Sequence, residues 1–344
     1  MRYGVWTPLP HTIFAEPAMD AAVAELRKPG AGRGPDPSFA FALEVLHKAE
    51  AAGFETTLIA ERWQGPDLEA WMASAALAGH TRTLELMTAV HPGIVTPQAA
   101  AKLGASLDRL SGGRAAVNIV NGWWEAEFNL FANGGWLGDE DRRYKRMDEY
   151  IEVMKRLWTE ESFSFHGEFY TVDNGSLPIR PRQLPHPPIY AASRSNRGRE
   201  TVARLCDVWF VAYEPSYGLA DANIRQIEID IRDMNRRARA HGRSLGYGIS
   251  AHVICADTVA AAEAQVGALE EYGKRDRVAM VAAKALGAGL VGTPDTIAER
   301  IRHYREIGIT CLMIHFHPML DGLDRFIRDV MPLVGAPARA AVAE

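Results

Sequence analysis

Short runs of apolar and β-branched residues alternate along the chain with longer stretches in which apolar positions recur every three or four residues. Eight short runs read as strands, at 3–7, 55–60, 84–89, 115–121, 188–192, 208–212, 246–255 and 311–315. The stretches between them read as amphipathic helices. Phe39, Leu43 and Leu46 form the stripe of the first, with Gly53 placed for a left-handed C-terminal residue. In the helix over 144–158 the stripe is Met147, Ile151, Met154 and Trp158, and Glu152 and Arg156 are spaced as an i,i+4 pair. Thr293-Pro294 opens another helix as N-cap and first-turn proline, with Ile297, Ile301 and Tyr304 on one face and Gly308 beyond its end. Strands joined throughout by crossover helices predict a parallel sheet, and eight of them favour closure into a (β/α)8 TIM barrel.

Three segments exceed what the alternation needs: 11–37, rich in Gly and Pro; 163–188, where Phe163, Phe165, Phe169 and Tyr170 alternate like a hairpin; and 273–290. Excess length in a barrel usually decorates the βα loops that build the site, so a single domain over 1–344 with insertions in those loops is expected.

Composition narrows the partners. A net charge of −5 without a Lys/Arg-rich run argues against nucleic acid and anionic membranes, which need a positive patch, and leaves a small-molecule substrate. Cys206, Cys255 and Cys311 lie far apart in apolar runs, as reduced core thiols do. The first residues carry no long apolar segment and no run approaches membrane-spanning length, so a cytoplasmic location is expected.

Several side chains at strand ends are candidates for chemistry. Asn118 and Asn121 bring two amides to the end of the fourth strand, there to pair with loop backbone or to meet a polar ligand. Period-2 alternation puts Ser250 and His252 opposite Ile249, Ala251 and Val253, hence facing the barrel interior, where an imidazole is either a hydrogen-bonded core group or an acid/base group. His11 follows the first strand, and the eighth ends His315-Phe316-His317. Converging imidazoles invite a metal-hydrolase reading, but the strand ends offer few carboxylates besides Glu61, and no metal is expected. Ser193-Arg194-Ser195-Asn196 leads into a helix and suits a phosphate, or simply an N-cap. No Gly-x-Gly-x-x-Gly follows a strand and no Walker A loop occurs, so a phosphate here belongs to a mononucleotide. Trp6, Trp63, Trp123, Trp124 and Trp136 fall at strand ends or in the loops after them, which suits a flat or apolar ligand or ordinary loop packing.

The run Leu107-Asp108-Arg109-Leu110-Ser111-Gly112-Gly113-Arg114, continuing into Val117-Asn118-Ile119-Val120-Asn121-Gly122-Trp123, resembles the bacterial luciferase-like flavin monooxygenases. The dimethyl sulfone, alkanesulfonate and pyrimidine monooxygenases are the branch it is most like. Asp141-Arg142-Arg143-Tyr144, Phe165-His166-Gly167-Glu168-Phe169-Tyr170, Val291-Gly292-Thr293-Pro294 and Met331-Pro332-Leu333-Val334 match in order over most of the chain. The resemblance implies FMN, delivered as FMNH2 by a separate NAD(P)H:flavin reductase, and O2 as co-substrate, activated as a flavin peroxide or N5 adduct. It implies a homodimer or homotetramer. Asn118 and Asn121, with Ala89, would then sit at the isoalloxazine, and Tyr144, Ser193, Arg194 and Ser195 near the phosphate. His252 matches an active-site histidine of the alkanesulfonate enzymes, and His317 stands where they carry a tyrosine.

The chain also departs from that branch. Ser250 replaces an arginine, Arg62-Trp63-Gln64-Gly65-Pro66 replaces a cysteine-bearing loop, and the shorter 273–290 loop leaves only Lys274, Arg275, Arg277 and Lys284 as candidates for a second arginine. A sulfonate would lose a charge-assisted partner, so a neutral sulfone, heterocycle or other apolar substrate is expected, with Trp63, Ser250, His252, His317 and His11 as the catalytic candidates. The alternative within the same superfamily is hydride transfer with the deazaflavin F420.

Overall fold

The computed structural model describes residues 1–12, 24, 36–122, 124–131, 135–274 and 285–335. Eight parallel strands close into a barrel: β1 (Arg2–Trp6), β2 (Thr56–Ile59), β3 (Glu85–Val90), β4 (Ala115–Ile119), β5 (Ile189–Ala192), β6 (Val208–Phe210), β7 (Gly246–Cys255) and β8 (Cys311–Phe316). Each pairs with its successor, and β8 closes the ring on β1 with Arg2 opposite Cys311 and Val5 opposite Ile314. The far end of β7, Val253 to Cys255, carries the short strand Leu290–Gly292. The fold is a (β/α)8 TIM barrel.

Alternation along the strands divides the core into two shells. Outward residues such as Tyr3, Val5, Leu86, Val117, Ile189, Trp209, Ile249 and Ile314 pack under the helices. Inward ones, Leu58, Met87, Ala116, Tyr190, Phe210 and Met313, fill the interior. The fit leaves no spare volume: a Cβ on inward-facing Gly248 would stand 2.6 Å from the Phe210 ring. At the N-terminal end a polar plug forms, with Arg2 Nη1 donating to Tyr190 Oη at 3.0 Å and Tyr190 donating to Glu85 at 2.9 Å.

The helices include α1 (Pro37–Ala51), α2 (Ala70–His80), α3 (Pro97–Leu110), α4 (Glu140–Thr159), α5 (Asn196–Leu205), α6 (Ala220–Ala240), α7 (Val259–Gly273) and α8 (Pro294–Glu306). The stripes expected on α4 and α8 are buried, Thr293 caps α8, and Gly53 and Gly308 have positive φ. Two details differ. The buried face of α1 is Ser38, Ala42, Val45, Leu46 and Ala49, so Phe39 and Leu43 stand at its margin. Arg156 pairs at 2.7 Å with Glu160, one turn after it, rather than with the expected Glu152, one turn before it.

The segment after α4 does contain a hairpin, Phe163–His166 against Thr171–Gly175. Most of 11–37 and of 273–290 lies outside the described residues, as do Trp123, Arg275, Arg277 and Lys284. Among the described residues, no helix is long and apolar enough to cross a membrane. Gly287-Ala288-Gly289-Leu290-Val291-Gly292 spells the dinucleotide pattern, but it runs into a strand and not out of one. A Cβ on Gly287 would overlap the Glu214 carbonyl, and one on Gly289 would stand 2.6 Å from Ala220, so these glycines admit α6.

Candidate active site at the C-terminal mouth of the barrel

A cavity of about 490 Å³ opens at the carboxyl ends of the strands, above the packed interior. Its floor and walls are largely apolar: Leu58, Ala60, Ala89, Val120, Phe210 and Met313. Polar groups enter at separate places around the rim, and each is fixed by a local device.

At one side, Tyr144 from the first turns of α4 meets the loop between β5 and α5, its hydroxyl 3.0 Å from Ser193 Oγ. Ser195 caps α5 by accepting from Gly198 N at 3.2 Å, directly after the lining residues Ser193 and Arg194. Gly198 is obligatory here, since a Cβ would overlap both Ser193 Oγ and the Tyr144 ring. Arg194 lines the cavity with its guanidinium held by Glu214 at 3.2 Å and by the Tyr213 carbonyl.

On the opposite side three rings stack across adjacent strands. His315 lies 4.3 Å from Trp6 and 4.8 Å from His252, centroid to centroid, and Trp6 Nε1 donates to Ser250 Oγ at 3.0 Å. Burial holds the His315 imidazole well below its usual pKa, and neighbouring His252 and His11 add to the effect. Between these sides stand Glu61, Arg62 and His91. Burial, opposed by a hydrogen bond from Ala70 N, lifts the Glu61 carboxyl to about 8, and the charges of Glu69 and Asp67 push the same way. Burial lowers His91 to about 4. Arg62 is bound through Nε to Glu127 at 2.7 Å and lies 4.3 Å over the Trp124 ring.

Of the residues singled out in the sequence, Asn118, Ala89, Tyr144, Ser193, Arg194, Ser250 and His11 line the cavity. His252 stands one ring behind His315, and Ser195 serves the cap. Asn121 lies beyond the end of β4, and its Oδ1 is buried with no partner among the described residues. His317 and Trp63 are not among the lining residues; Trp63 packs edge-on against Phe131 at 5.0 Å. Nor do Trp124 and Trp136 form a ligand rim. They stack instead on Arg62, itself a lining residue, and on Arg143. His91 is not among the residues singled out in the sequence, and His315 is there only as one of several converging imidazoles, although carrying the β8 alternation on from Met313 points His315 into the barrel.

The arrangement can take an anion at the α5 end, a flat apolar body in the middle, and a small neutral group against the rings. An FMN-sized ligand fits these features: the Tyr144 and Ser193 hydroxyls beside the start of α5 for its phosphate, and an unsatisfied amide oxygen at Asn121 for a donor.

A family profile described as luciferase-like monooxygenase matches residues 19–311. The chain belongs to the luciferase-like monooxygenase family. Among its relatives is an FMNH2-dependent dimethylsulfone monooxygenase of Pseudomonas putida, 31% identical over 331 residues, covering 86% of this chain and 88% of the relative. The DmoA structure from Hyphomicrobium sulfonivorans superposes with a TM-score of 0.70 at 18% identity, covering 96% of this chain and 86% of that one. A coenzyme F420-dependent tetrahydromethanopterin reductase from Methanopyrus kandleri superposes at 0.66 with 16% identity over 86% of this chain and 96% of its own. At such identities the two structures speak for the shared barrel alone.

Proposed function

We propose that this family member is an FMNH2-dependent monooxygenase that oxygenates a small neutral compound, with sulfones as the first class to test. One observation carries the reading: a single cavity has the hydroxyls of Tyr144 and Ser193 at one end, beside the start of α5, and an otherwise charge-neutral, largely apolar interior. Both guanidiniums that line it are already engaged, Arg62 by Glu127 and Arg194 by Glu214. A sulfonate would meet guanidiniums whose charge is already compensated, so neither would reward it as an uncompensated cation would. The relative's name points to the same substrate class.

In this reading Tyr144, Ser193 and the α5 N–H groups hold the FMN phosphate, while Asn118, Asn121 and Ala89 face the ring system. Bound reduced FMN supplies the electrons that activate O2. The protein's part is to keep water away with Phe210, Leu58, Met313 and Trp6, and to present uncharged polar groups to the substrate. Buried His315 and His91 stay neutral near pH 7, and Glu61 keeps its proton there, so none repels a neutral guest. The FMNH2 comes from a separate NAD(P)H:flavin reductase, and the three unpaired cysteines accord with a reducing compartment such as the cytoplasm.

The test is isotopic. With photoreduced FMN, ¹⁸O2 and a panel of dialkyl sulfones, sulfonates and heterocycles, ¹⁸O is expected in products of the neutral compounds and not of the sulfonates. Absence of label from every product would sink the reading.

A further inference from the structure

His11 reaches the cavity from the turn after β1, where it is held from two directions. The turn is closed by Thr12 N donating to Leu9 O at 2.8 Å and by Leu9 N donating to Thr12 Oγ1 at 2.9 Å. From across the cavity wall comes Asp67, in the loop between β2 and α2. Its Oδ1 accepts the His11 backbone N–H at 3.0 Å, and its Oδ2 lies 2.7 Å from His11 Nδ1. The Asp67 side chain is completely buried, and that of His11 is 6% exposed. Gly65 makes this approach possible, because a Cβ there would overlap Asp67 Oδ2. Both oxygens of one buried carboxylate are therefore committed to a single residue on another loop.

A carboxylate only accepts, so the ring proton sits on Nδ1 and the lone pair on Nε2, the nitrogen on the far side of the ring. The geometry points to an Asp67–His11 dyad: Asp67 is a positioning residue that fixes the tautomer, and His11 Nε2 is the proton acceptor of the cavity. Insertion of oxygen needs such a carrier. Substrate, O2 and reduced FMN yield oxygenated substrate, water and oxidised FMN; the O–O bond breaks, one oxygen bonds to substrate, and the other leaves as water. Two electrons and two hydrogens come from the reduced flavin, so protons must travel to the departing oxygen through a group that can take one and return it. His315 and His91 are held neutral by burial, and Glu61 begins protonated, whereas His11 has a carboxylate behind it to stabilise the imidazolium.

The proton's destination rests on the monooxygenase reading; the tautomer does not, and the two are measured separately. In flavin-free protein labelled with ¹⁵N-histidine, with His11→Gln used to identify the signal, Nδ1–H is expected in the native chain. Asp67→Asn should convert it to Nε2–H, because the amide NH2 donates to Nδ1 while its carbonyl keeps the backbone N–H bond. With reduced FMN, O2 and dimethyl sulfone, each variant should lower kcat by about 10²-fold. KM should change by less than about threefold, the signature of a group acting in the transition state. The double variant should fall no further than His11→Gln alone. An Nε2–H tautomer in the native protein overturns the dyad without any variant needing to fold, and so does an Asp67→Asn protein with native kcat. If dimethyl sulfone and the rest of the panel are not turned over, the proposed function fails while the tautomer measurement still decides the dyad.

Discussion

Glu61 and His91 enter the cavity from the ends of β2 and β3, and burial drives both to their neutral forms. In the folded protein Glu61 keeps its proton up to about pH 8, while the unfolded chain releases it near the ordinary 4.5. The stability it contributes is therefore complete below about pH 4.5 and is lost as pH rises to about 8. His91 acts in the opposite sense. Its ring resists charging down to about pH 4 although the unfolded chain charges near 6.5, so its contribution is complete above 6.5 and is lost on acidification. The sharper test is Glu61→Gln, which has no proton to release. Each pKa unit corresponds to about 1.4 kcal/mol, so the variant should gain a few kcal/mol relative to the native chain between pH 6 and 9. Calorimetric Tm series on both proteins check this, and a constant difference across that range would mean Glu61 is ionised in the cavity.

At the scale of elements, most of the run that carried the family resemblance turns out to be scaffold. Asp108, at the end of α3, is fully buried and accepts from Gln183 N at 2.9 Å, Gln183 Nε2 at 2.6 Å and Arg182 N at 2.5 Å, tying the chain before β5 to the start of β4. Arg114 donates to the carbonyls of Ala78, Thr81 and Leu84 at the end of α2. Glu149 on α4 accepts from the backbone of Glu168, Phe169 and Tyr170, and Gly167 leaves room for its carboxylate, which accounts for the His166-Gly167-Glu168 turn. Asp108→Ala orphans several buried donors and should cost more than about 2 kcal/mol, read as a lower urea midpoint. Gly198→Ala leaves this scaffold alone and crowds Ser193 and Tyr144, so it should weaken FMN binding by at least about tenfold, the equivalent of one lost hydrogen bond, in a fluorescence-quenching titration. Strand positions and helix stripes were legible in the sequence because both follow from periodicity. The inward face of β7 was legible for the same reason. The Asp67–His11 pairing was not, because it joins residues 56 positions apart through a loop without periodicity. Nor was the packing of Trp63, Trp124 and Trp136 outside the cavity lining, against Phe131, Arg62 and Arg143, since several rings near strand ends look alike until packing chooses among them.

At the scale of the molecule, the barrel is closed at its N-terminal end by Arg2, Glu85 and Tyr190, so ligands reach the described cavity from the opposite mouth. The end proposed for the phosphate, with Tyr144 on α4 and Ser193 before α5, lies at that mouth, which would suit a flavin that arrives and leaves. The one run with the Gly-x-Gly-x-x-Gly spelling is filled by α6 and Glu214, with no space left at Gly287 for a pyrophosphate. If flavin reduction happens elsewhere, the purified chain mixed with NADH, FMN and air should consume NADH no faster than buffer does. An unrelated flavin reductase placed behind a dialysis membrane that passes FMN should then be enough to start product formation, because FMNH2 itself, and not a docked partner, carries the electrons across. NADH oxidation by the chain alone would show a reductase site within it and refute the two-component reading. Product formed only when the reductase shares the compartment would instead mean that free FMNH2 is reoxidised by oxygen before it crosses the membrane.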